Sequence, residues 1–181
     1  MSSAQTKFIV VPFNALPSEK AGESDAVEKQ KEFIRTRILS KTDDEIARDP
    51  DVLELFLNLG SELNVNAFAC NFRYPDGSIN TDVELANKLN WRIHERLCIT
   101  TSEKGSHNIP LFIAGTKFTQ GNYGDCVTNF KNRLGLHGNE DLYVLRNSVM
   151  NPYKFMEQTI DKNAALFKLV LEQEVEVRLR R

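Results

Sequence analysis

The sequence lacks the features that mark several large classes of protein. It has only three cysteines in 181 residues, with no CxxC pair and no Cys/His cluster, which argues against a disulfide framework and a zinc site. Its 23 basic and 25 acidic residues leave a formal net charge of −2, without the basic excess of nucleic-acid-binding proteins. No apolar run is long enough for a membrane span or a secretion signal. We therefore expect a cytoplasmic protein that binds neither nucleic acid nor membrane.

Common catalytic and nucleotide-binding motifs are also missing. The chain contains no P-loop, GxGxxG, HExxH or GxSxG motif. The run "GTKFTQGNYG" contains glycines but lacks the spacing of a phosphate-binding loop, so we interpret it as a turn. Cys70 and Cys98 lie in apolar runs typical of buried thiols, and the odd number of cysteines favours a reducing compartment.

Strand-like and helix-like segments alternate along the chain. Asp49 followed by Pro50 predicts the start of a helix, and Gly60 predicts its end. The alternating run "NAFACNFRY" (66–74) predicts a half-buried strand. Thr81 and Glu84 have the spacing of a capping box. The other predicted segments are a strand at 7–11, a helix from Ser24 or Asp25 to about Leu39, strands at 97–101 and 109–118 with a possible bulge at Gly115, a helix ending at Gly135, a strand at 142–150 and a final helix from Asn151-Pro152.

These segments predict an α+β fold with a small, mainly antiparallel sheet and helices packed on one face. We expect a single domain over residues 1–181, in which 152–181 form a long C-terminal helix and a charged tail. The tail "EVEVRLRR" changes its period from about 3.6 to 2, so a continued helix and an added strand are both open.

Two strand arginines are the first candidates for function. Arg146 shares a predicted strand face with Leu142 and Val144, and a guanidinium buried among apolar residues requires an anionic partner. Arg73 stands among small residues on another strand, with Asn71 on the same face. A structural ion pair and the binding of an anion or carboxylate are both open for the arginines. We predict Arg146, Arg73 and Asn71 as substrate-binding residues.

Three further residues are candidates for proton transfer. His107 lies in a polar loop that enters a strand, a common position for a catalytic group. Tyr123 and Asp125 open a helix, where the amide dipoles favour an anion. We predict these three as catalytic residues, with ordinary structural roles as the alternative for each. His94, at the border of a helix stripe, and His137, after a helix end, are interpreted as structural or exposed.

Several ordered segments together resemble a known family. They are "VVPFNALPSEKAG", "ELNVNAFACNFRYPDGSINTDVELANKLNWRIHERL", "IPLFIAGTKFTQGNYGDCVTNFKNRLGL" and "DLYVLRNSVMNPY". They are similar to the C-terminal region of group II pyridoxal-phosphate (PLP) decarboxylases, specifically fungal tyrosine or aromatic-amino-acid decarboxylases, over most of residues 7–153. The resemblance implies the small α+β domain of a fold-type I enzyme, packed on a large cofactor domain within a homodimer. It also implies that Arg146 corresponds to an arginine near the active site.

The cofactor chemistry of that family requires a lysine after a histidine and an aspartate for the pyridine nitrogen, both in the large domain. No His-Lys dipeptide occurs here, so we expect no cofactor in this chain alone and PLP only with a partner large domain. The initial methionine is interpreted as the start of a free-standing gene product.

Three functions are open. One is a cofactor-independent enzyme that cyclises, isomerises or eliminates from a small hydrophobic metabolite, as a homodimer in fungal secondary metabolism. Another is a split subunit of a PLP decarboxylase. The third is a non-catalytic dimeric interaction module.

Overall fold

The computed structural model describes residues 6–39, 41–59, 65–98, 113–148 and 156–180, which form two compact units. The larger unit combines the residues up to Phe13 with those from 64 onwards. Its elements are β1 (Phe8–Pro12), β2 (Val65–Phe72), α5 (Val83–Leu97), β3 (Ala114–Phe118), α6 (Gln120–Tyr123), α7 (Asp125–Leu134), β4 (Leu142–Ser148) and α8 (Met156–Leu179). The smaller unit, 14–63, contains α1 (Pro17–Lys20), α2 (Ser24–Phe33), a π-helical turn (Ile34–Ile38), α3 (Asp43–Arg48) and α4 (Pro50–Asn58).

Capping residues define the helices of the smaller unit. Asp49 accepts a hydrogen bond from the amide of Val52 at 3.3 Å, and Pro50 opens α4 as predicted. Thr42 and Glu45 form a capping box at the start of α3, a helix that the sequence analysis did not predict. The predicted helix up to Leu39 ends in a π turn, since the Leu39 amide bonds the carbonyl of Ile34 at 3.0 Å.

The larger unit is built on a four-stranded antiparallel sheet in the order β1-β2-β4-β3. The α+β class and the antiparallel pairing are therefore confirmed. Helices cover both faces of this sheet, whereas we predicted one covered face. Ala69 and Cys70 point to opposite faces of β2, and both are fully buried. One core joins Ala69 to residues of α7, and the other joins Cys70 to residues of α5 and α8.

The two faces of β2 differ in side-chain size, which explains why the sequence analysis did not predict a helix on the second face. Phe68, Cys70 and Phe72 lie on the face covered by α5 and α8, as their alternation predicts. The opposite face of β2 carries the small residues Ala67 and Ala69, which gave no apolar signal in the sequence. Small side chains still form a core when large ones come from the covering helix, here Phe130 and Leu134 of α7.

Two asparagine side chains of α5 form the backbone hydrogen bonds that β2 and β4 do not form with each other. The β2–β4 ladder runs from Val65↔Ser148 to Phe68↔Leu145 and stops there. Beyond it, Asn90 Oδ1 accepts from the Cys70 amide and Asn90 Nδ2 donates to the Cys70 carbonyl, both at 2.8 Å. Asn87 Oδ1 accepts from the Tyr143 amide at 2.6 Å, and Asn87 Nδ2 donates to the Asp141 carbonyl at 2.7 Å. The helix thus satisfies backbone groups that the diverging strands leave unpaired.

Other local predictions have mixed outcomes. The cap of α5 is Asp82, which accepts from the Leu85 amide at 3.0 Å, so the Thr81 capping box was wrong by one residue. Leu97 ends α5 and does not begin a strand, while 99–112 and 149–155 lie outside the described residues. Gly115 sits in an unbroken ladder with β4, so the bulge was wrong. Gly135 ends α7 with a φ of 78°, as predicted.

The C-terminal tail is helical. Residues up to Leu179 continue α8, so the added-strand alternative is wrong for the described part of the tail. Glu174 of α8 is only 6% exposed at its side chain and binds two arginines of α5, Arg92 at 2.7 Å and Arg96 at 3.1 Å. Val175 is fully buried. These contacts fix the helical period of the tail against α5. Among the described helices, none combines the length and the apolar character that a membrane span requires.

Candidate functional site

Arg146 is exposed at the end of β4. The preceding residues on its strand face, Leu142 and Val144, are fully buried under α7. The Cα partners of Arg146 on the two neighbouring strands are Ala67 and Ala114. These short side chains leave the guanidinium uncovered, so our prediction that it is buried was wrong. Among the residues that the structure describes, no carboxylate forms an ion pair with Arg146, and its five N–H donors are available to an external anion.

Arg73 lies too far from Arg146 to share a small ligand with it. It directly follows β2, whereas Ala67, the strand partner of Arg146, stands near the beginning of β2. Six residues of extended chain span about 20 Å. Arg73 Nη1 donates to the carbonyl of Gly77 at 3.5 Å, over the turn after the strand. The two predicted substrate-binding arginines therefore belong to different parts of the surface.

Asn71 has a structural position in a buried hydrogen-bond network. Its side chain is fully buried, and Nδ2 donates to the carbonyls of Asn80 at 2.7 Å and Leu134 at 2.9 Å. Its Oδ1 accepts from the Phe72 amide at 2.9 Å and from Asn80 Nδ2 at 3.0 Å. Since these bonds use both polar atoms, Asn71 connects β2 to the segment before α5 and to the end of α7. The geometry offers no polar atom of Asn71 to a substrate.

Tyr123 and Asp125 lie at the beginning of α7, away from Arg146. The Tyr123 ring stacks on Phe118 with centroids 4.1 Å apart, and Phe13 packs edge-on against both rings. Phe118 pairs with Leu142, four residues along β4 from Arg146, or about 13 Å. Asp125 is exposed in the first turn of α7. His107 lies outside the described residues. The described candidates thus do not converge on one site.

A pair of side chains that the sequence analysis did not join occupies the opposite face of β4. Tyr143 of β4 and His94 of α5 form a hydrogen bond of 2.8 Å between the phenol oxygen and Nδ1. Both side chains are half-buried. Burial is the main cause that lowers the pKa of His94, and the Glu95 carboxylate acts against it. The imidazole therefore favours its neutral form, and in the tautomer protonated at Nε2 its Nδ1 accepts the hydrogen bond of the phenol.

The surroundings of this pair hold the phenol in place. Burial raises the pKa of Tyr143, and charges at Cys98 and Glu95 act in the same direction, so the phenol remains a proton donor. A Cβ at position 115 would overlap the Tyr143 hydroxyl and ring, which explains why glycine stands in the middle of β3. The pair is a positioned donor and acceptor that can relay a proton between α5 and β4.

Weak signals for these residues were present in the sequence. Tyr143 alternates with Leu142 and Val144 in a buried strand, where a phenol usually finds a hydrogen-bond partner. Asn87 and Asn90 stand inside a helix, although asparagine disfavours helix interiors. Their hydrogen-bond partners could not be identified from the sequence, because the partners are far away in the chain. Tyr143 is 49 positions from His94 and 56 from Asn87, and Asn90 is 20 positions from Cys70.

Among the described residues, the buried lysine is not free to serve a site for PLP. Such a site requires a lysine amine, a carboxylate for the pyridine nitrogen and donors for the phosphate. Lys131 is the only buried lysine among the described residues, and its Nζ donates to the carbonyls of Gly138 at 2.7 Å and Glu140 at 3.2 Å. That amine is already used to hold the segment after α7. The same part of the chain contains no cluster of residues able to bind a metal ion.

The thiols offer no nucleophile in the interior. Cys70 is fully buried, as predicted, and burial raises the pKa of its thiol far above the ordinary value. Cys98 is only partly buried, and Cys126 is exposed.

A family model described as "Tyrosine decarboxylase, C-terminal" matches residues 62–175, which include the sheet from β2 onwards and most of α8. The match excludes the smaller unit almost entirely. No curated protein matches the chain.

Proposed function

Because the chain belongs to the tyrosine decarboxylase C-terminal domain family, we propose that it serves as the small lobe of a PLP-dependent decarboxylase of aromatic amino acids. In this proposal a separate cofactor-binding domain, on the same or another polypeptide, completes the active site. The small lobe contributes an anion-binding arginine, Arg146.

The environment of Arg146 is the observation that carries this proposal. The guanidinium stands on a central strand whose preceding residues are rigidly packed, and it is flanked by alanines. A strand fixes the direction of a side chain better than a loop does, which suits a group that must meet an anion of another domain. The other candidates are scattered, since Asn71 lies in the core and Tyr123 lies in an aromatic cluster. This scatter favours an active site shared with another domain over one built from the described residues alone.

Complementation tests this proposal. The purified chain is mixed with PLP, L-tyrosine and the cofactor-binding domain of a tyrosine decarboxylase, and carbon dioxide release is measured. We expect release only in the complete mixture, and a loss of at least about tenfold with Arg146→Ala. Lys117→Ala, which removes an exposed cation from neighbouring β3, is the matched control and should retain activity.

Two results would contradict the proposal. One is the visible absorbance of lysine-bound PLP, together with turnover, in the isolated chain. The other is a complemented activity that does not change when Arg146 is replaced.

The His94–Tyr143 pair favours a second candidate, the cofactor-independent enzyme acting on a hydrophobic metabolite. The pair joins an imidazole and a phenol by a hydrogen bond of 2.8 Å, and these are two groups that serve as general base and general acid in enzymes. The test is deuterium incorporation from D₂O into a panel of aromatic ketones by the isolated chain. This candidate predicts incorporation that is lost in Tyr143→Phe. An isolated chain that exchanges no panel member, or a Tyr143→Phe variant that exchanges at the same rate, would argue against it.

A further inference from the structure

A cationic cleft lies at the other end of the sheet from Arg146. It is formed where the residue before β1, the turn after β2 and the last turns of α8 meet, and its volume is about 260 Å³. The residues that line it are Lys7, Arg73, Tyr74, Pro75, Glu176, Leu179 and Arg180. Three of these side chains are cationic and one is acidic, so the described lining carries two excess positive charges.

Two of the cations lie at the same end of the β1–β2 pairing. The ladder ends at Phe8↔Phe72, and Lys7 and Arg73 are the next residues outward. Their backbones are joined, since the Arg73 amide donates to the Lys7 carbonyl at 2.8 Å. Like charges in a cross-strand pair destabilise a sheet unless a counter-charge lies between them. The position therefore favours the binding of an anion.

The acid in the cleft does not neutralise this pair. Glu176 is 3.8 Å from Arg180, and the two side chains are 52% and 80% exposed, so the ion pair is screened by water. Among the described ion pairs, none involves Lys7 or Arg73. Lys7 is therefore available to a ligand, and Arg73 keeps the N–H groups that its 3.5 Å bond to the Gly77 carbonyl does not use.

The wall beside Arg73 is rigid. Tyr74 packs edge-on against buried Phe72 with centroids 5.3 Å apart, and its amide bonds the carbonyl of Ser78 at 2.8 Å. The turn is closed by Gly77, at a φ of 86° that favours glycine, and by Asp76, which accepts from the Ser78 hydroxyl at 2.6 Å. Arg73 is therefore presented by a fixed turn, which lowers the entropy lost on binding.

From these observations we infer that the cleft binds a small dianion of the phosphate-monoester class. Two guanidinium forks and an ammonium suit the several oxygens of one phosphate better than the separated carboxylates of a dicarboxylate. The volume of the cleft, about 260 Å³, is slightly below the usual range for ligand sites, which fits a compact metabolite. This inference is independent of Arg146 and of the proposed function.

Calorimetric titration of the full chain with inorganic phosphate, at constant ionic strength, tests the inference. Arg73→Gln should weaken binding by about tenfold, the effect of losing one charged hydrogen-bond donor. Glu176→Gln should strengthen binding by about twofold to fivefold, because Glu176 is the only acidic side chain among the described residues that line the cleft. Arg48→Gln, which removes an exposed arginine of α3, is the matched control and should leave the affinity unchanged.

Several outcomes would overturn the inference. They are the absence of phosphate binding, equal affinities of Arg73→Gln and wild type, an equal loss in Arg48→Gln, and a loss of affinity in Glu176→Gln. Succinate serves as the dicarboxylate probe and should bind at least about tenfold more weakly than phosphate. Equal binding of succinate would overturn the assignment to phosphate. Circular dichroism of each variant confirms that the fold is intact before the affinities are compared.

Discussion

The two parts of β4 differ in whether their polar groups are hydrogen-bonded within the fold or exposed to solvent. In the closed part, Leu142–Leu145, the Tyr143 amide bonds Asn87 and its phenol bonds His94. At the open end, Arg146 is exposed between two alanines. Within three residues of one strand, the polar groups change from hydrogen-bonded inside the fold (Tyr143) to exposed at its surface (Arg146). The difference predicts that substitutions in or beside the closed part affect stability most, and that a substitution at the open end affects it least.

The largest loss of stability is expected from Asn90→Ala, which acts on β2, the strand beside β4. The change removes three hydrogen bonds of a fully buried side chain and leaves the amide and carbonyl of Cys70 without their partner. We expect a loss of about 3 kcal/mol in the free energy of unfolding, measured by urea denaturation. Lys88→Ala on the exposed face of α5 should change it by less than about 0.5 kcal/mol. Equal losses in the two variants would show that the asparagine does not replace strand pairing.

A smaller loss is expected from Gly115→Ala. The added methyl group would overlap the Tyr143 hydroxyl and ring, so the tyrosine or β3 must shift. Overpacking of this kind costs about 1–3 kcal/mol, which urea denaturation would detect. Gly121→Ala is the matched control, because a methyl group at that position would have no neighbouring atom within 4 Å. A variant at 115 as stable as the one at 121 would mean that Tyr143 is not held against β3.

The pH dependence of stability should reveal the His94–Tyr143 pair. Burial lowers the pKa of His94 in the folded chain below the value of 6.5 that it has when unfolded. As the pH falls through 6.5, His94 therefore takes up a proton in the unfolded chain before it does so in the folded chain. Stability is then lost on the acid side, and His94→Gln should reduce that loss. Melting temperatures at about pH 8 and about pH 5 would measure it. Exposed His137→Gln should behave like wild type, and identical acid losses in all three proteins would contradict the assignment.

The smallest effect on stability is expected at the open end. Arg146→Ala removes an exposed side chain with no described ion pair, so the free energy of unfolding should change by less than about 0.5 kcal/mol. Complemented decarboxylation should fall sharply in the same variant, as proposed above. A large loss of stability would instead assign Arg146 a structural role and remove the contrast between the two parts of β4.

Part of this organisation could be predicted from local sequence. Asp49-Pro50 and Gly135 mark helix ends because a cap or a left-handed residue acts on its own backbone. The alternation of Phe68, Cys70 and Phe72 identified a covered face because strand geometry has a period of two. The helix cap at Asp82 was placed one residue early, since Thr81 and Asp82 are both good caps and only the fold distinguishes them.

The candidate site could be predicted much less well. Arg146 was identified as a candidate, but its exposure depends on the alanines of two other strands. Asn71 was predicted to bind substrate, yet its amide meets the carbonyl of Leu134, 63 positions away. The cross-strand pair of Lys7 and Arg73 depends on the register between segments far apart in the chain.

The sequence by itself determined most of the strands and helices, the α+β class and the family to which residues 62–175 belong. Those properties follow from periodicity, caps and ordered motifs, which act over a few residues. Only the tertiary structure decided which polar groups are used inside the fold and which remain available. That division depends on strand register and helix placement, because a hydrogen bond or an ion pair forms only where distant residues meet within about 3 to 4 Å.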